Sequence, residues 1–219
     1  MNIVPFLSDT QYRQLPRIAN SDLSEFRDHL FGLKSFKPEK AFAFGSTLHE
    51  LILEPKKQTV IPEDMDADLL NILKEKVLGN HFCSWLRQFA RKESVCLFTN
   101  PATGLPCKSK LDLVYKKSLV VDLKTTSQRT YAAFVKSCHT YDYDRQAAYY
   151  LDGVGGKRFV FVGIQKIHPY DLFIYEPSRE FIAGGRNKYE CLLEAWQEVG
   201  FTPSSWQRIE PKQPFLQAA

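Results

Sequence analysis

Three charged residues interrupt two runs that otherwise have the composition of buried β-strand. Asp112, Asp122 and Lys124 lie among Leu111, Leu113, Val114, Leu119, Val120, Val121 and Leu123, a pattern that reads as strand. An uncompensated carboxylate in an apolar interior is costly, so such a group pairs, takes up a proton or binds metal. The period of two along a strand sends Asp122 and Lys124 to one face and Leu123 to the other. Two neighbouring carboxylates repel, and Mg²⁺ or Mn²⁺ relieves that repulsion because these hard cations prefer oxygen ligands. Such a site can activate water and offset charge on a phosphate, with Lys124 positioning or helping to deprotonate the attacking water. The competing reading is a structural salt bridge of Lys124 with Asp122 or Asp112 at a sheet edge.

An acid, one residue, then lysine also occurs at Glu54-Pro-Lys56 and Glu210-Pro-Lys212, where the central proline excludes a central strand. Two further pairs have helical spacing. Gly45 and His49 are one turn apart, so the missing glycine side chain leaves room for a backbone or ligand beside the imidazole. His49 alone reads more readily as a satisfied packing residue. Gln146 and Tyr150 share a helix face, and without context they read as a surface hydrogen-bonding pair.

The elements that must position these groups follow from periodicity. Asn20 or Ser21 caps a short helix bearing Leu23, Phe26 and Leu30 that ends near Gly32. A helix over residues 41–53 carries Phe44, Leu48, Leu51 and Ile52, and Pro55 stops it. After a loop, a polar helix over 64–78 is closed by Gly79, and Asn80 caps another whose Phe82, Trp85, Leu86 and Phe89 read as core. Strands are expected over 93–99, across Lys110–Tyr115 and over 119–125, with turn chemistry at Asn100-Pro-Ala-Thr-Gly104. If Lys116-Lys-Ser118 forms the whole linker, Tyr115 faces Leu119 and Asp112 falls across from Asp122, with Cβ atoms about 5 Å apart. A two-residue loop breaks that arrangement unless a bulge restores it. A short helix follows Thr130, then one over 143–151 ended by Gly153, Gly155 and Gly156, strands over 158–167 and 170–175, and a closing helix marked by Tyr189, Leu192, Leu193, Trp196 and Val199. The residues beyond Gly200 read as an extended tail.

The 219 residues suit one sizeable domain. The net charge of +4, from 29 basic and 25 acidic residues, is too mild to announce a nucleic-acid binder, although a local patch can still serve one. The five cysteines are odd in number, and no two are separated by only two residues. That spacing argues against a disulfide framework, a zinc finger or an iron–sulfur clasp, and it fits a reducing cytoplasm. Neither a signal peptide nor a membrane-spanning run is apparent, so a soluble, cytoplasmic protein without membrane contact is expected.

The ordered set Gly45-Ser-Thr-Leu-His49, Asp112, Asp122-Leu-Lys124-Thr-Thr126 and Gln146-Ala-Ala-Tyr-Tyr150 resembles the PD-(D/E)XK nuclease superfamily, and within it the RecE (exonuclease VIII) and RecB-type branch. Thr99-Asn-Pro-Ala-Thr-Gly104 followed by Lys108-Ser-Lys-Leu-Asp112 is similar to phage-type recombination exonucleases. The resemblance runs from about Leu15 to Ile167. It implies an α/β fold with a restriction-endonuclease-like core, a central mixed β-sheet flanked by helices. It further implies a single domain over 1–219, with a helical insertion at 55–92 and a C-terminal tail at 201–219.

Carried over residue by residue, the resemblance makes His49, Asp112, Asp122 and the backbone carbonyl of Leu123 the ligands of Mg²⁺, with Mn²⁺ as a substitute. Lys124 becomes the catalytic lysine, acting with Asp112 and Asp122. Gln146 and Tyr150 shape the site and contact substrate, with Thr125 and Arg145 beside them. Leu111 stands where the superfamily name has proline, a variable position. Glu93 opens the first strand and is placed behind the ligands as a supporting residue.

The implied activity is hydrolysis of double-stranded DNA from its ends, 5′ to 3′, in recombination or repair. A homo-oligomer and a single-strand annealing protein are the implied partners. Candidate phosphate contacts are Arg87, Arg91, Lys108, Lys110, Arg129, Lys136 and Arg145. Tyr131, Tyr141 and Tyr143 are candidates for stacking on bases at a frayed end. A structure- or sequence-specific endonuclease, and a non-catalytic DNA-binding module of the same fold, are the alternatives.

Overall fold

A computed structural model describes residues 2–4, 7–34 and 39–206, and over them a mixed six-stranded sheet is flanked by eight helices. The strands are β1 (Asn2–Val4), β2 (Arg91–Thr99), β3 (Pro106–Tyr115), β4 (Leu119–Thr126), β5 (Arg158–Gln165) and β6 (Leu172–Tyr175). They lie side by side in chain order. β4 and β5 run parallel, and the other neighbours are antiparallel. The helices are α1 (Asp9–Gln14), α2 (Asn20–Leu30), α3 (Glu39–Leu53), α4 (Ala67–Gly79), α5 (His81–Phe89), α6 (Tyr131–Thr140), α7 (Tyr143–Val154) and α8 (Arg179–Val199). The parallel step from β4 to β5 is made through α6 and α7, the long crossover that a parallel pair requires. No described helix is long and apolar enough to cross a membrane.

Each sheet face carries its own apolar core. On one, Leu23 and Phe26 of α2, Phe134 of α6, Tyr149 of α7 and Leu193 and Trp196 of α8 pack on Val120, Phe159 and Phe161. On the other, Leu48 and Ile52 of α3, Leu70 and Leu73 of α4 and Leu86 of α5 pack on Leu113, Val121, Leu123 and Val162. Residues 55–92, read as an insertion, thus supply part of the second core. The alternation Leu119, Val121, Leu123 against Val120 is what separates the layers.

Turn chemistry behaves as its residues dictate. Asn100 Oδ1 accepts from the N–H groups of Ala102 and Thr103, and Gly104 takes a positive φ of 70°. Lys116-Lys-Ser118 is the whole β3–β4 linker, and Tyr115 faces Leu119. Asp66 and Asn80 cap α4 and α5 by accepting the N–H of Leu69 and Cys83.

Several boundaries differ from the sequence reading, each for a local reason. Ala19 is the N-cap of α2, and the cap is made in reverse by Asp22, whose Oδ2 accepts the Ala19 N–H at 2.8 Å. Phe89 is 55% exposed, whereas Leu86 is buried. Gly153 lies inside α7, which stops at Gly155 with a φ of 65°. The closing helix begins at Arg179, capped by Ser178, ten residues before the first of its marker residues, because adjacent Gly184 and Gly185 interrupt the apolar pattern of its first turns. Strand β1 and helix α1 had no periodic signal. Of the tail, Phe201 packs on Phe26 and Trp196, with ring centres 5.1 Å apart in both cases. Residues 207–219, including Glu210-Pro-Lys212, lie outside the described residues.

Gly163 and Gly185 are among the glycines that mark close approaches. A Cβ at Gly163 of β5 would stand 2.7 Å from the Phe134 ring, and one at Gly185 of α8 would stand 1.9 Å from the Asp144 carbonyl oxygen of α7. Gly184, one residue earlier, has nothing among the described residues within 4 Å of the same position. Gly185→Ala is therefore expected to cost about 3 kcal/mol through overpacking against rigid backbone. Gly184→Ala should gain about 1 kcal/mol from helix propensity. Urea unfolding of the two variants checks these opposite signs.

Candidate active site

The ladder between β3 and β4 runs Tyr115↔Leu119, Val114↔Val120 and Leu113↔Val121, and there it ends. Its register carries Asp112 toward Asp122, as the linker length requires, but no backbone pair forms between them. Instead the Asp112 carboxylate replaces the ladder, its Oδ2 accepting the Leu123 N–H at 2.7 Å. The same oxygen lies 3.5 Å from His49 Nδ1. Asp112 thereby joins β4 to α3 across the gap.

A second irregularity aims it. Leu111 and Val114 both belong to the core beneath α2, α7 and α8, whereas Leu113 belongs to the other. Residues three apart in a regular strand face opposite ways, so the alternation slips by one at Asp112. Directly opposite, Glu93 falls between the pairs Lys92↔Leu113 and Ser94↔Leu111 with a φ of 46°. A left-handed residue without glycine's freedom costs about 1–3 kcal/mol. The Glu93 carboxylate is held by Lys110 at 2.5 Å, and Lys110 also meets Asp9 of α1 at 2.7 Å.

Asp122 and Lys124 share the opposite face of β4 from Leu123, as the period of two requires. Asp122 is 5% exposed at its side chain, and Lys124 Nζ lies 2.7 Å from its Oδ2. That contact is not an aligned hydrogen bond, and among the described residues Oδ2 is buried without another donor. Oδ1 accepts from Gln146 Nε2 of α7 at 2.8 Å. Gln146 is buried, which replaces the surface reading of the Gln146–Tyr150 pair. Tyr150, one turn on, is partly buried, and burial first, with the charges of Asp122 and Asp112 also contributing, pushes its hydroxyl well above its ordinary value.

Burial pushes the Asp122 carboxyl up to about 6, with Lys124 opposing and the Asp112 charge adding to the effect. Burial also disfavours the Asp112 charge, but His49, Lys124 and the Leu123 N–H outweigh it and hold this carboxyl below its usual range. The same ion pair lifts the His49 imidazole above its ordinary value against the cost of burial. Lys124, despite burial, is raised by Asp122 and Asp112 and stays charged at neutral pH.

Several candidates occupy other places. Lys108 is buried, its Nζ donating to the carbonyls of Tyr12, Arg13 and Leu15 at 3.0, 3.2 and 2.9 Å. It fastens the end of α1 and is turned away from any phosphate. Arg145 is likewise buried, donating to Asn20 Oδ1 at 3.0 Å and to Ser24 Oγ. It belongs to the scaffold, not to a substrate contact. Thr125 Oγ1 faces Gly45, at 3.6 Å from where a Cβ would stand. That is an ordinary contact, so the helix does not need glycine there for packing. Lys110 is engaged by Glu93 and Asp9, Arg87 is half-buried, and Arg91, Arg129 and Lys136 are exposed. Tyr131 and Tyr141 are exposed as a base-stacking role requires, but the Tyr143 ring lies beneath Lys124 Nζ at 4.7 Å. Tyr143 falls on the face of Gln146 and Tyr150 one turn earlier, and that spacing was the signal for its true place.

The donor set of two carboxylates, an imidazole and a backbone carbonyl suits a hard divalent cation. The buried Asp122 Oδ2, met by the Lys124 ammonium without an aligned hydrogen bond, fits that chemistry. Among the described residues, no three acidic, histidine or cysteine side chains converge on one point. The carboxylates are closed instead on His49, Lys124, Gln146 and the Leu123 N–H.

The chain belongs to the family of the PDDEXK-like domain of unknown function, DUF3799, whose model it matches over residues 8–206. Its fold is similar to that of a protein from Eubacterium rectale named as an inferred exonuclease, with a TM-score of 0.66, 13% identity and 96% of each chain covered. A phage related exonuclease from Haemophilus somnus gives a TM-score of 0.43 at 12% identity over 89% of this chain and 88% of that one. An alkaline exonuclease from Laribacter hongkongensis gives 0.43 at 13% identity over 87% and 94%. The last two scores are too low to add to the fold assignment, and at such identity the first establishes fold alone. No curated protein matches the chain in sequence.

A carboxyl raised on folding binds its proton more tightly in the folded state. The Asp122 contribution is therefore complete below the unfolded value and is lost as pH rises through about 6. A cation held by the same oxygens competes with that proton. Excess Mg²⁺ should thus raise the melting temperature clearly at pH 8 and little at pH 5, and Asp122→Asn should remove the difference. Equal Mg²⁺ effects at both pH values in scanning calorimetry would count against Asp122 as a ligand.

Proposed function

We propose that this protein is a metal-dependent nuclease that hydrolyses phosphodiester bonds at the ends of double-stranded DNA. The observation that carries the reading is a pair of adjoining contacts, His49–Asp112 and Lys124–Asp122, tied together by the Asp112 carboxylate on the Leu123 N–H, with a buried Asp122 oxygen that lacks an aligned donor among the described residues. Asp112, Asp122, His49 and the Leu123 carbonyl would hold Mg²⁺, with Mn²⁺ as a substitute. Bound there, the cation supplies charge neutralisation at the phosphate and acidifies water.

The side chains divide the remaining work. Gln146 fixes Asp122 through Oδ1, which leaves Oδ2 as its reactive edge. Lys124 is charged, so it orients water and offsets phosphate charge as an ammonium and is not the resting proton acceptor. Asp112 couples the α3 imidazole to β4, and Tyr150 closes the wall beside Gln146. Exposed Arg91, Arg129 and Lys136 are the remaining candidates for backbone phosphates.

The likeness to recombination exonucleases supports action from the 5′ end in recombination or repair, with a homo-oligomer and a single-strand annealing protein as partners. The test is linear duplex labelled separately at the 5′ and 3′ ends, incubated with Mg²⁺ or EDTA beside closed circles. Mg²⁺-dependent release of the 5′ label with circles intact is expected, and Asp122→Ala or Lys124→Ala should lower the rate at least about 10²-fold while DNA binding persists. Cut circles would instead make the protein an endonuclease, and no cleavage of any substrate a binding module.

A further inference from the structure

Lys124 is held on two sides. Its ammonium touches Asp122 at 2.7 Å and stands 4.7 Å from the centre of the Tyr143 ring, within the roughly 6 Å over which a ring face attracts a cation. A lysine stem is flexible, so the ammonium keeps a direction only through its partners. Asp122 is an unreliable sole partner, because the oxygen it offers to Lys124 is the one it would offer to a metal.

Tyr143 is a fixed surface by contrast. Its ring stacks on Phe161 at 5.5 Å and 27°, and Phe161 is fully buried and paired with Asp122 in the β4–β5 register. Tyr141 packs against the same ring at 5.8 Å. The residue before it, Asp142, has a left-handed φ of 53°. Its carboxylate is shared between Arg27 of α2 and Lys188 of α8. Sheet and three helices together determine where the ring stands.

We propose that Tyr143 is a positioning residue for Lys124: the ring face holds the ammonium over the site independently of Asp122. The assignment rests on the nuclease reading for its catalytic consequence, but the contact itself does not need DNA or metal. The hydroxyl is not required, so phenylalanine should serve and an aliphatic residue should not.

Proton NMR of the metal-free full-length protein reads the contact directly. The Lys124 side-chain methylenes should be shifted upfield by the ring in the wild type and in Tyr143→Phe, and should return to ordinary positions in Tyr143→Leu. With Mg²⁺ and linear duplex, Tyr143→Leu should lower kcat about tenfold with KM within about twofold, and Tyr143→Phe should retain wild-type kcat. Unshifted methylenes in the wild type would overturn the proposal whether or not any variant folds. So would a leucine variant as fast as wild type, or a phenylalanine variant as slow as leucine. A wild-type protein with shifted methylenes that cleaves no DNA supports the contact and overturns the nuclease reading instead.

Discussion

Where β3 and β4 part company, a side chain takes over from the backbone, and the rest of the site is arranged around that substitution. The Asp112 carboxylate accepts the Leu123 N–H that the next rung of the ladder would have used. Had the ladder continued, the space between the strands would have closed and Asp112 would have had no route to His49 on the other face. A buried amide without an acceptor is costly, so the acid is bound into the fold before any chemistry is considered. Folding stability and the placement of the site therefore draw on the same carboxylate.

The two helical layers contribute different things to that opening. The α3–α5 layer sends in His49, which lowers the Asp112 carboxyl and is itself raised. The α6–α8 layer sends in Gln146 and Tyr143, which deal with Asp122 and Lys124. The neighbouring acids are thus driven apart in proton affinity, one held ionised and the other raised to about 6. Such separation of two like groups by their surroundings is a common property of catalytic pairs.

Much of this was legible in the residues. Strand alternation placed Asp122 and Lys124 on one face, and the three-residue linker placed Tyr115 against Leu119, because both depend on local geometry. What local geometry does not contain was misread. Lys108 and Arg145 are basic residues near the site in sequence, yet they are buried against carbonyls and hydroxyls of α1 and α2, contacts made across the whole chain. The slip at Asp112 depends on a left-handed glutamate in a strand, a conformation that composition does not announce. The early start of α8 was hidden by two glycines, one of which exists for contact with α7. Tyr143 was visible by its spacing from Gln146, but aromatic type suggested bases and concealed the lysine.

Gly163 extends the same logic to a residue that has no side chain to offer the site. It pairs with Lys124 across the parallel step and leaves room for the Phe134 ring directly over the strand. α6 can settle on β5 because this position is bare, and the turn after α6 sets the height at which α7 begins. A single hydrogen in place of a methyl thus leaves the Phe134 ring its seat on β5, so drift at position 163 during evolution would disturb the helix that leads into Tyr143, and with it the lysine, with every polar group of the site unaltered.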